Sequence, residues 1–118
     1  MKQVQLYAYA ETLEDALDTA RARERAAIER AIELLRQADQ AGPGSRELAD
    51  ALVYVHRLWS ILIEDLANSE NRLPQKLRAD LISVGLWSLR ELDDISNGRS
   101  QDLSQLVEVL TLIGEGLR

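Results

Sequence analysis

The chain has no cysteine and no phenylalanine, and among its 118 residues there are only one histidine, two prolines and six glycines. Without cysteine there are no disulfides, no thiol nucleophile and no thiolate metal ligands, and nothing calls for an oxidising compartment. A single histidine, His56, leaves a metal site without the further imidazole ligands it would need and makes acid-base chemistry at neutral pH hard to assemble. On so apolar a stretch His56 reads as a packed or rim residue. No run approaches the ~20 consecutive apolar residues of a membrane span, and the opening Met1-Lys2-Gln3-Val4-Gln5-Leu6 lacks the apolar core of a signal peptide. A soluble cytoplasmic protein that inserts in no membrane is the expectation.

What is present points to helix. Hydrophobic residues make up 46% of the chain but aromatics only 4%, so Leu, Ile, Val and Ala must fill the core of what the length makes a single domain, residues 1–118. The net charge of −6 would repel a phosphate backbone and weighs against direct nucleic-acid binding. The one basic cluster, Arg21, Arg23 and Arg25, is interleaved with Glu24 and followed by Glu29 and Glu33, the pattern of a solvated helix face.

Along the chain, residues 3–9 alternate polar and apolar and read as an extended N-terminal arm, either mobile or laid over a groove by Tyr7 and Tyr9. From Thr12 apolar residues recur at helical spacing through Leu13, Leu17, Ile28, Ala31 and Ala38, predicting a helix over 12–41 that Gly42-Pro43-Gly44 ends. Ser45 caps a second helix over 45–68, whose spine of Leu48, Leu52, Val55, Trp59, Leu62 and Leu66 is flanked by Ala51, Tyr54, Leu58 and Ile61. Apolar on most of its circumference, this helix belongs at the centre of a bundle. Pro74 opens a third helix, 74–97, in which Gly85 costs about 1 kcal/mol against alanine and so is expected to permit close contact, for instance with an aromatic ring. Asp102 or Ser100 starts a fourth over 101–117. Short turns between these segments make the fold class all-α, an antiparallel bundle of about four helices.

Catalytic candidates are few. Glu64 and Asp65 are neighbours that point about 100° apart on a helix and read as end-of-helix solvation. Arg57, Arg78 and Arg90 would line an anionic pocket only if two of them converged. Nothing resembles a phosphate loop or a nucleophile elbow, so no catalytic residue, metal or cofactor is assigned.

Several stretches together resemble the flagellar biosynthesis regulator FlaF family of alphaproteobacteria. They are Ala22-Arg23-Glu24-Arg25 running into Ile32-Glu33-Leu34-Leu35, then Gly42-Pro43-Gly44-Ser45-Arg46, Arg57-Leu58-Trp59-Ser60-Ile61-Leu62-Ile63-Glu64-Asp65-Leu66, Asn71-Arg72-Leu73-Pro74, and Leu77 to Trp87. The resemblance implies a non-enzymatic cytoplasmic protein with flagellin as partner, working beside the translational regulator FlbT, as flagellin secretion chaperone and regulator of flagellin synthesis. A helical bundle suits that role by accepting an amphipathic flagellin segment in an apolar groove. The residues expected to form it are Tyr54, Leu58, Trp59, Leu62 and Trp87, with Tyr7 and Tyr9 on a displaceable arm. The alternatives are a post-transcriptional regulator that contacts flagellin mRNA directly or through FlbT, and a small helical enzyme with a closed arginine-lined pocket.

Overall fold

In a computed structural model, which describes the backbone of residues 2–116 and the side chains of Ala8 and of 21–116, the chain is four α-helices: α1 (Lys2–Ala41), α2 (Arg46–Ala67), α3 (Gln75–Ser96) and α4 (Ser104–Gly116). The all-α bundle is as expected, and no strand occurs among the described residues. The N-terminal expectation is corrected. Residues 3–9 are helical rather than extended, and Thr12 lies inside α1 instead of capping it. No glycine or proline interrupts 2–41, so continuing the helix adds one hydrogen bond per residue fixed, and a few alternating positions do not outweigh that. The side chains of Tyr7 and Tyr9 lie outside the described residues.

The helix ends follow from local chemistry. Gly42, Gly44 and Gly98 have φ of +91°, +76° and +75°, a region closed to most L residues, and they reverse the chain after α1 and α3. Ser45 caps α2 by accepting the Leu48 amide at 3.1 Å. At the other end of α2, Arg78 donates from Nε to the Leu66 carbonyl at 2.8 Å and from a terminal nitrogen to the Asn68 carbonyl at 3.1 Å. A cation therefore closes the negative end of that helix. Asp102 accepts both the amide and the hydroxyl of Ser104, at 2.9 and 2.6 Å, which starts α4 and holds its carboxyl below the ordinary carboxylate range.

The order of packing is α4 on α1, α1 on α2, α2 on α3. Ile28, Ala31, Leu35 and Ala38 of α1 meet Ala51, Val55, Leu58 and Trp59 of α2, Leu92 and Ile95 of α3, and Leu103, Leu106 and Leu110, all buried. The alanines are small enough to let the backbones close up. Because α2 has 22 residues against the 40 of α1, at 1.5 Å per residue it reaches back only to about residue 20, and the first half of α1 continues past it along the 63 Å long axis.

Gly85 decides how α3 sits on α2. A Cβ placed there would lie 2.8 Å from Cγ1 and 2.9 Å from Cδ1 of Ile63, and 2.9 Å from Cε3 of Trp59. The close approach expected of this glycine is thus made to the Trp59 ring. Gly85→Ala adds helix propensity but overpacks this contact, so a net loss of about 1–3 kcal/mol is expected in urea or thermal unfolding. A gain in stability would show that the helices part at no cost. Ser45→Ala, by contrast, should cost about 1 kcal/mol through the lost cap.

Candidate functional site

Two connected cavities lie along α2 at the end of the bundle where the α1–α2 and α3–α4 turns meet. The larger, about 480 Å³, is lined by Leu48, Leu52 and Val53 of α2, Ile95 of α3 and Leu103, with Asp39 and Gln101 among its polar neighbours. The smaller, about 310 Å³, shares Leu52, Val53 and Ser96 and continues to His56 and Arg57. Together they run beside α2 from Ser45 to Arg57, about 18 Å at helical rise. Gly42, Gly44 and Gly98 border the larger cavity, and open space surrounds the position a Cβ would take on each. The glycines that reverse the chain also leave the room. At the junction Val53 is 62% exposed, a large apolar side chain facing water from inside a concave wall.

The residues expected from the sequence are placed differently. Trp59 is 1% exposed and Leu58 is buried, so both are core residues and not groove residues. Trp59 is enclosed where Gly85 lets α3 approach, and both residues belong to the buried core cluster shared with α1 and α3. Tyr54 is half-buried, and its hydroxyl donates to the Ala27 carbonyl at 3.4 Å, which ties α2 to α1. Leu62 and Trp87 are half-buried and pack on the core with one side open. None of the five lines the cavities. Val53 was missed because it falls on neither apolar stripe of α2, while Leu48, Leu52 and Ile95 carried only the periodicity of core. The one available signal was Val53 itself, an apolar residue on a polar phase of the helix.

Among the described side chains, the arginines and carboxylates singled out in the sequence do not converge on one pocket. His56, Arg57, Glu64 and Arg90 are exposed, and Arg78 is committed to the end of α2. Among the described residues no group of three histidine or carboxylate side chains is placed to hold a metal ion. No helix among the described residues is long and apolar enough to cross a membrane.

Where α1 leaves the cover of α2, Glu24 is exposed at the surface yet has its pKa raised, first by partial desolvation and then by the nearby Asp65, with Arg21 opposing. Protonation is therefore favoured by folding. Stability from this group is fully present below the ordinary glutamate pKa and is lost as pH rises through the raised folded value. Glu24→Gln should raise the melting temperature at pH 7 and leave it unchanged near pH 4, as read by thermal scans at the two pH values. For the core, Trp59→Ala should cost about 3–5 kcal/mol. Trp59→Phe should cost much less, because the indole Nε1 is buried without an acceptor and phenylalanine removes that unmet donor.

A family model described as flagellar protein FlaF matches residues 5–117. No curated protein and no solved structure matches the chain. The match runs through all four helices and both glycine turns, and the chain belongs to the FlaF family of flagellar proteins.

Proposed function

We propose that this chain is a cytoplasmic flagellin-binding protein that acts as a secretion chaperone for flagellin and regulates its synthesis, alone or with FlbT, by binding and not by catalysis. The observation that carries the reading is the apolar cavity pair beside α2 with exposed Val53 at its centre, in a member of a flagellar family. An amphipathic helix offers side chains at i, i+3, i+4 and i+7 along one face, about three turns of which span the 18 Å of the groove. Covering such a face keeps subunits from joining one another too early. The net charge of −6 favours a protein client over RNA. Regulation follows by mass action, since captured flagellin and free flagellin leave the protein in two different states.

Co-purification with full-length flagellin, and with flagellin lacking either terminal segment, tests partner and mode together. Full-length flagellin should be retained and one truncation should abolish retention. Val53→Glu places a charge in the groove without disturbing the core and should weaken binding at least tenfold with an unchanged melting temperature, about 1.4 kcal/mol or more. Retention of both truncated forms, or full affinity in Val53→Glu, would overturn the assignment of this groove.

A further inference from the structure

Two helices in contact leave a groove on each side of their line of closest approach. For α2 and α3 the inner groove is filled by α1, in the core where Val55, Leu92 and Ile95 are buried. The outer one begins at the smaller cavity, which His56 of α2 and Asp93 of α3 line together. Beyond that cavity the two helices keep one antiparallel register, because Gly85 lies against Ile63 and Arg78 reaches the Leu66 carbonyl. Steps of four, three and four residues on from His56 bring Ser60, Ile63 and Ala67 onto the same face of α2. The same steps back from Asp93 bring Leu89, Leu86 and Ile82 onto the same face of α3, each about level with its α2 counterpart.

This continuation is apolar wherever it has bulk. Leu86 is 47% exposed, and Leu89, Ile82 and Ile63 are half-buried. Ser60 and Ala67 are small and exposed, so the α2 side is low and α3 forms the higher wall of a trough. The Ser60 hydroxyl donates to the His56 carbonyl at 2.9 Å, and an apolar chain laid over it strands no donor. The charges at the border, Arg57, Glu64 and Asp93, are of both signs and select neither a basic nor an acidic occupant. What the trough selects is the length of an apolar stripe.

We infer that the client site runs the whole length of α2 and takes one amphipathic helix of about 22 residues, whose apolar stripe leaves the cavities and continues over Leu89, Leu86 and Ile82. The 22 residues of α2 rise about 33 Å, nearly twice the span of the cavities alone. The inference rests on the reading of those cavities as a groove for a client helix. The occupant is the same helix because the trough is the straight continuation of that groove, with no element crossing between Val53 and Ile82 among the described residues. A client of three turns would fill the cavities and leave Leu86 in water.

The test titrates two synthetic helices, each of about 22 residues, calorimetrically into the full chain. One is apolar along the whole of one face, and the other is apolar over half of that face with glutamine in the rest. The first should bind about tenfold more tightly than the second. Leu86→Gln should weaken the first about fivefold and leave the second unchanged, whereas Val53→Gln weakens both and Leu112→Gln on α4 alters neither. All three positions are exposed, so the melting temperature should hold in each variant. Equal affinity for the two helices, or full affinity of the first for Leu86→Gln, overturns the inference. A dimer in sedimentation that Leu86→Gln dissolves would give this half of the trough to a second copy and also overturns it. Flagellin that fails to co-purify while both helices behave as stated would remove the client and leave the length of the site standing.

Discussion

The contact between Gly85 and the ring of Trp59 sets the geometry of the bundle. With no side chain at 85, α3 is drawn against α2, and Trp59, the largest of the fully buried side chains, is enclosed between them at 1% exposure. A helix pulled to one neighbour by such an approach is held away from the other. α4 meanwhile follows α1, where Gly114 allows a similar though looser approach to Ile28. The bundle is therefore two tight contacts at α2–α3 and α1–α4, joined by the α1–α2 hairpin, with the fourth side left apart. A larger residue at 85 would relax the first contact, and the openness of the last side would change with it.

Much of the fold was legible because glycine, proline and cap residues mark its boundaries. Gly42-Pro43-Gly44-Ser45 ends α1 and starts α2 within a residue of expectation, and Asn97-Gly98 stops α3. Gly85 was legible in purpose, since a mid-helix glycine among large apolar residues has few other uses. The N-terminus was misread for a related reason: residues 2–11 carry no stop signal, and their alternation is compatible with either period when the window is that short. Where nothing ends a helix, it runs on.

The candidate site was much less legible. Apolar periodicity distinguishes a buried face from a wet one, but it does not report where two helices diverge. Leu48, Leu52 and Ile95 have core spacing and do face inward, yet they border a cavity because the glycine turns beside them hold nothing to fill it. Trp59 and Trp87 illustrate the same limit. Both are aromatic and both sit on apolar stripes, but Trp59 is enclosed where Gly85 lets α3 close on α2, while Trp87 lies on another face of α3 and is only half-buried. That difference depends on packing partners far away in sequence.

The isolation of α4 has a kinetic corollary. Held closely by α1 alone, it can detach while the three preceding helices keep their consecutive contacts, so its amides should exchange with solvent sooner than those of α2, and its release would transiently unroof Leu106 and Leu110. Its departure would leave the α1–α2 and α2–α3 contacts, and so most of the scaffold, in place.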